Sequence, residues 1–166
     1  MTDNTQYHQR RITYADNAYH RDYIYPNRFC LVLTNKCNLS CDFCFQDRRH
    51  LRGSLDFDGW KKVVDQLPDN AWVTVTGGEP FAFRNFLEML SYINKNHQFN
   101  IISNGTLFND EKLDFILQLE NFKVLSISID CIGNLNRDFS PTVWANMVSY
   151  IKTFNARRKD IRPDVI

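Results

Sequence analysis

The amino-acid sequence predicts an α/β domain on a parallel sheet, with about four complete strand-helix units and the start of a fifth. Two observations carry this. From Phe29 onward, short runs rich in β-branched and aromatic residues alternate with amphipathic helical patterns. Each repeat returns to a strand through a helix, the crossover that parallel strands need. A third observation concerns chemistry: clusters of cysteine, glycine and polar residues fall just after the strands, at the carboxyl ends where such sheets gather functional groups.

Residues 1–27 are polar, tyrosine-rich and without clear periodicity, and read as an N-terminal arm, either flexible or an added strand. The regular domain is 28–166. Residues 29–34 form the first strand candidate, and a helix follows over about 56–67, where Phe57, Trp60, Val63, Val64 and Leu67 share one face. Pro68 and the Asp69-Asn70 pair end it. Residues 72–76 form the second strand, Gly77-Gly78-Glu79-Pro80 a turn, and 85–95 a helix with Phe86, Leu90 and Ile93 inward. The third strand is 99–104, broken by Gly105. Asn109 then caps a helix whose first turn holds Asp110 and Glu111 and whose core face holds Leu113, Ile116 and Leu117. Residues 124–130 are the fourth strand. Ser140 and Pro141 open the last helix, striped by Trp144, Met147, Val148, Ile151 and Phe154 and ending at Arg157, Arg158 and Lys159. Residues 161–166 look like the approach to a fifth strand.

The 166 residues make one ordinary domain, and a net charge of +1 gives no reason to expect nucleic acid or a membrane surface as partner. Five cysteines without a signal-like apolar run argue against a disulfide framework and for a reducing cytoplasm.

Cys37, Cys41 and Cys44 stand in one short run after the first strand. Three thiolates can hold a metal cluster and leave one position open, where chemistry happens. Structural zinc usually takes four protein ligands, and only His50 offers itself at a stretch. Cys30 and Cys131 are read as structural. Gly77-Gly78 alone is most simply a tight turn; between a strand and a helix it also lets backbone approach a ligand, and Glu79 offers an acceptor to an ammonium. On the fourth strand, alternation puts Ser126, Ser128 and Asp130 on the face opposite Leu125, Ile127 and Ile129. Buried polar side chains are costly unless bonded, so a ligand for Ser128 and Asp130 is the economical explanation. The same parity turns Thr74, Thr76, Asn100, Ile102 and Asn104 inward, with Ser126 and Thr74 expected to bond backbone. Phe43 reads equally as core packing.

Cys-x-x-x-Cys-x-x-Cys with Phe43 before its last cysteine resembles the signature of the radical S-adenosylmethionine (SAM) superfamily. Thr76-Gly77-Gly78-Glu79-Pro80 resembles that family's GGEP motif, Ser103-Asn104-Gly105-Thr106 its third-strand segment, and Ser126 to Asp130 its ribose-contacting fourth strand. The resemblance implies a partial (β/α) radical SAM barrel, similar to peptide-modifying members that carry SPASM/twitch-type C-terminal extensions. It further implies that Cys37, Cys41 and Cys44 bind a 4Fe-4S cluster whose free iron chelates SAM, and that reductive cleavage gives a 5'-deoxyadenosyl radical that abstracts substrate hydrogen. Gly77, Gly78, Glu79 and Pro80 would meet the methionine amino group, Phe43 the adenine, and Asn104, Ser128 and Asp130 the rest of SAM. Arg137 corresponds to an arginine that meets the cofactor carboxylate in many members, or is simply solvated; Cys131 departs from the glycine many members carry.

The family's barrel usually has six units, so residues 28–166 are expected to stop short of completion, either as a truncated product or with a partner chain over the open sheet edge. A peptide substrate and an electron donor such as flavodoxin or ferredoxin are the expected partners. Two rival readings stay open: a truncated cluster- and SAM-binding module without turnover, and a zinc-binding structural protein.

Overall fold

A computed structural model describes residues 26–46, 53–129 and 140–157. The expectations for the N-terminal arm up to residue 25, for His50, Asp130, Cys131 and Arg137, and for a fifth strand lie outside the described residues. In chain order the elements are β1 (Arg28–Val32), α1 (Phe57–Val64), β2 (Trp72–Thr76), a 3₁₀ turn (Pro80–Ala82), α2 (Phe86–Ile93), β3 (Gln98–Ser103), α3 (Asp110–Leu117), β4 (Phe122–Ile127) and α4 (Pro141–Arg157). The strands pair in parallel in the order β1-β2-β3-β4, so chain order and sheet order coincide. That sequential winding is the pattern of a barrel wall and differs from doubly wound sheets, whose order reverses at a switch point.

Local chemistry explains the boundaries. Asp56 begins α1 by accepting from the Gly59 N–H at 2.8 Å, and Asn109 begins α3 by accepting from the Lys112 N–H at 2.9 Å. The Ser140 hydroxyl receives the Val143 N–H at 3.3 Å at the start of α4. Between α1 and β2 the chain reverses at Asn70, whose φ of 58° is a left-handed conformation that asparagine tolerates better than most residues.

One parity of the sheet is apolar and buried: Leu31 and Leu33, Val73 and Val75, Phe99 and Ile101, Leu125 and Ile127. Met89, Leu90 and Ile93 of α2, Leu113 and Ile116 of α3, and Met147 and Phe154 of α4 belong to the same core. The opposite parity, with Thr74, Thr76, Asn100, Ile102 and Ser126, is only half-buried among the described residues. The sheet therefore has a helix-covered outer face and a polar inner face, as the alternation predicts.

β4 differs from expectation at both ends. It begins at Phe122 because the register slips between Phe99 and Asn100, which pair with Phe122 and Val124 and leave Lys123 as the extra residue. The bulge restores a core position to Phe122, which strict alternation would have turned inward beside Val124, and its ring packs on Phe99 and Phe154. It ends at Ile127, and among the described residues only the Ser128 N–H continues the ladder, to the Ser103 carbonyl at 2.9 Å.

His97, entering β3, is 4% exposed, and its Nδ1 has no hydrogen-bond partner among the described residues. Burial pushes its pKa below the ordinary value, partly offset by Asp69. The folded state thus takes up a proton less readily than the unfolded chain. Stability from this group is complete above the unfolded histidine value of about 6.5 and drains as pH falls toward the folded one, with a slope of at most about 1.4 kcal/mol per pH unit. Urea midpoints measured in this range should fall with acidity more steeply for the parent than for His97→Phe; parallel profiles would refute the assignment.

Candidate functional site

The carboxyl ends of all four strands carry the residues singled out by the sequence, wherever those residues are described. β1 runs into residues 33–46, which hold the three cysteines. Two backbone bonds fasten this loop to the turn after β2: the Gly78 N–H donates to the Thr34 carbonyl at 2.7 Å and the Glu79 N–H to the Lys36 carbonyl at 2.8 Å. The contact is so close that a Cβ on Gly77 would stand 2.8 Å from the Thr34 oxygen, and one on Gly78 would stand 2.5 Å from the Lys36 oxygen. The space expected to admit a ligand at these glycines is thus occupied first by the chain's own cysteine loop, and no side chain larger than hydrogen fits there.

Glu79 is fully buried. Its Oε1 accepts from the Phe81 N–H at 3.2 Å and the Ser103 hydroxyl at 2.8 Å, and its Oε2 from the Asn104 N–H at 2.8 Å. Withdrawal from water pushes its pKa up, against the pull of these three donors and the Lys112 ammonium. The carboxylate expected to receive an ammonium therefore already serves as a clamp between the β2 and β3 loops, and it also caps the 3₁₀ turn that starts at Pro80. The Ser103 hydroxyl extends the clamp by accepting from the Gly105 N–H at 2.9 Å. Gly105 sits at φ 75°, the left-handed region that favours glycine.

Asn104, 6% exposed, links the β3 loop to the cysteines. Its Nδ2 donates to the Asn38 Oδ1 at 3.1 Å and to the Cys37 Sγ at 3.8 Å, while its Oδ1 accepts from the Thr106 N–H at 3.0 Å and the Thr106 hydroxyl at 2.6 Å. The Asn38 amide returns a bond to the Thr106 hydroxyl at 2.8 Å. The Leu39 N–H also reaches the Cys37 Sγ, at 3.4 Å. Sequence reading quoted Ser103 and Thr106 within a motif but gave neither a role, and it missed Asn38; their small polar side chains flanking a glycine at a strand end were the available signal.

Cys41 and Cys44 are half-buried and joined by a tight turn, with the Cys44 N–H on the Cys41 carbonyl at 3.1 Å. Phe43 between them is 49% exposed, so packing into the core does not account for it. Ser128 is half-buried, and its N–H is held by the Ser103 carbonyl at 2.9 Å. Cys30 lies within β1 as read from the sequence, and it is exposed, in register with Thr74 and through it Asn100. One expectation needs correcting. Thr74 bonds the Asn100 side chain at 2.8 Å and not backbone, since Asn100 Oδ1 collects both Thr74 and the Trp72 indole N–H.

The donor set fits the cluster that the sequence implies. Three thiols on one loop are soft ligands suited to iron and sulfide, and one of them already receives two N–H donors. Among the described residues no three His, Cys, Asp or Glu side chains converge in metal-holding geometry. The thiols share a loop without facing one centre, as expected where ligand binding itself organises the site. Also among the described residues, no helix is long and apolar enough to cross a membrane.

Comparison with known proteins agrees with this geometry. The subtilosin biosynthesis protein AlbA of Bacillus subtilis is 32% identical over 113 residues, 66% of this chain and 25% of that protein. An S-adenosylmethionine-dependent nucleotide dehydratase of Selenomonas ruminantium is 33% identical over 107 residues, 62% of this chain and 39% of that protein. The crystal structure of Streptococcus suis SuiB bound to precursor peptide SuiA superposes with a TM-score of 0.67 at 16% identity, over 93% of this chain and 39% of that one. The chain thus spans well under half the length of these relatives. The profile of the radical SAM superfamily matches residues 31–158, and on that match the chain belongs to the radical SAM superfamily.

Proposed function

We propose that residues 28–166 are the core of a peptide-modifying radical SAM enzyme in which Cys37, Cys41 and Cys44 hold the cluster. The family uses a 4Fe-4S cluster and SAM. The observation that carries the assignment is the fastening of the three-cysteine loop to the Gly77-Gly78-Glu79 turn and to Asn104, which brings the ends of β1, β2 and β3 to one place. The chemistry supplied by the bound pair is one-electron cleavage of the sulfonium to a 5'-deoxyadenosyl radical that takes a hydrogen atom from substrate.

The chain's own residues bind and orient. Gly77, Gly78, Glu79 and Pro80 form a turn fastened to the cysteine loop, and they would hold the methionine end of SAM. The exposed Phe43 ring offers a stacking surface for adenine, and Ser128 and Asp130 are assigned to the ribose. Arg137 is assigned to the cofactor carboxylate. Asn104, whose amide is spent within the chain, supports the loop in place of touching SAM. The inner face of the sheet, half-buried among the described residues, is the face offered to a substrate chain. The biosynthetic role in AlbA's name and the peptide bound to SuiB favour a peptide; the nucleotide dehydratase favours a nucleotide as the second reading. A flavodoxin- or ferredoxin-like donor in a reducing cytoplasm supplies the electron.

Anaerobic reconstitution with iron and sulfide tests this directly. The expected product is a 4Fe-4S cluster whose spectrum changes on adding SAM, with release of 5'-deoxyadenosine under dithionite. A bound cluster that never cleaves SAM would convert the reading to a binding module. Stoichiometric zinc without iron after anaerobic purification would overturn it.

A further inference from the structure

We infer that Asn104 is a positioning residue that sets the Cys37 thiol and donates a hydrogen bond to its sulfur in the loaded site, raising the potential at which the cluster accepts an electron. The inference rests on the assignment of Cys37 as a cluster ligand.

The orientation of the Asn104 amide is fixed by its surroundings. A backbone N–H can only donate, so the end facing Thr106 N at 3.0 Å is the carbonyl oxygen and the end facing the cysteine loop is the NH₂ group. That group has two hydrogens and two acceptors, Asn38 Oδ1 and Cys37 Sγ. The side chain has little freedom to leave: the residue is 6% exposed, and its own N–H is held by the buried Glu79 carboxylate at 2.8 Å. The Leu39 N–H brings a second donor to the same sulfur.

An N–H dipole aimed at a thiolate ligand stabilises negative charge, and the reduced cluster carries one more negative charge than the oxidised one. Hydrogen bonds to the sulfurs therefore favour reduction. Removing the Asn104 donor should disfavour reduction about tenfold, which for a one-electron couple is about 59 mV. The device is built from a chain of contacts: Glu79 holds Asn104, and Asn104 holds Cys37.

The test compares the anaerobically reconstituted parent with Asn104→Leu and Asn104→Asp, without SAM, by iron and sulfide content, circular dichroism and a redox titration followed by electron paramagnetic resonance. Asn104→Leu should keep a full cluster with a midpoint about 59 mV more negative, a tenfold loss in the reduction equilibrium. Asn104→Asp is nearly isosteric and keeps the acceptor for Thr106, but it has no N–H to give and adds an anion. It should move further in the same direction, and it decides the question if the leucine variant does not fold. An unchanged midpoint with a full cluster in either variant would overturn the inference. Loss of the cluster from both folded variants would overturn it too, leaving Asn104 a residue of assembly alone. Failure of the parent to assemble an iron cluster would instead strike the proposed function, and this inference with it.

Discussion

Gly78→Ala is expected to lower the melting temperature of the apoprotein by on the order of 10 °C, because overpacking against backbone costs up to about 3 kcal/mol and each kcal/mol shifts a domain of this size by roughly 2–4 °C. The added Cβ would stand 2.5 Å from the Lys36 oxygen, 2.8 Å from its carbonyl carbon and 2.9 Å from the Asn35 oxygen. None of these atoms lies on a flexible side chain. They cannot retreat without breaking the bonds from Gly78 to Thr34 and from Glu79 to Lys36, which hold the cysteine loop against the β2 turn. The substitution should therefore reduce iron uptake on reconstitution as well as stability. Gly53→Ala, with nothing within 4 Å of the new Cβ, is the matched control and should melt with the parent. If Gly78→Ala also melts with the parent, the loops do not pack as described.

Glu79→Gln should cost about 1–3 kcal/mol at neutral pH, the penalty for leaving a buried donor unsatisfied. Glutamine can present its oxygen to the Phe81 N–H and the Ser103 hydroxyl, but its NH₂ then faces the Asn104 N–H, donor against donor. The pH dependence has a definite sign. Burial raises the folded-state pKa of Glu79 above its unfolded value, so the folded protein binds the proton more tightly. The contribution of this group is full below the unfolded pKa and is lost as pH rises through the folded one. The parent's advantage over Glu79→Gln should accordingly widen as pH falls toward the ordinary glutamate range. Urea unfolding of the two apoproteins at neutral and mildly acidic pH measures it, and an advantage that narrows on acidification would contradict the burial assigned to this carboxylate.

These two residues also mark how far the sequence could be read. Gly77, Gly78 and Glu79 were picked out as cofactor-facing because of where they fall, after a strand and before a helix. Their position was correct, but their immediate partners belong to the chain itself: Thr34 and Lys36 pack against the glycines, and Ser103 and Asn104 bond the glutamate. A linear pattern locates a turn at a strand end; it does not say which other loop fills the space beside it. Thr74 departs from expectation for a related reason. Strand parity places it on the inner face, yet only the register of β2 and β3 brings Asn100 to it. The β4 boundary failed where a bulge interrupted the period of two that the reading relied on.

The sequence by itself determined the architecture and the placement of the chemistry. Alternation, helix periodicity and capping residues are short-range properties, each legible within a few residues, and together they require parallel strands with functional groups at one end. It also narrowed the chemistry, since three close thiols suit soft metals and clusters, with zinc left as the rival. Only the tertiary structure decided how those groups are held. The fastening of Cys37 through Asn104 to Glu79 joins residues 67 and 25 positions apart. Such contacts depend on which loops the sheet order makes neighbours and on how closely their backbones approach. Those are consequences of packing the whole domain, and no local stretch of sequence records them.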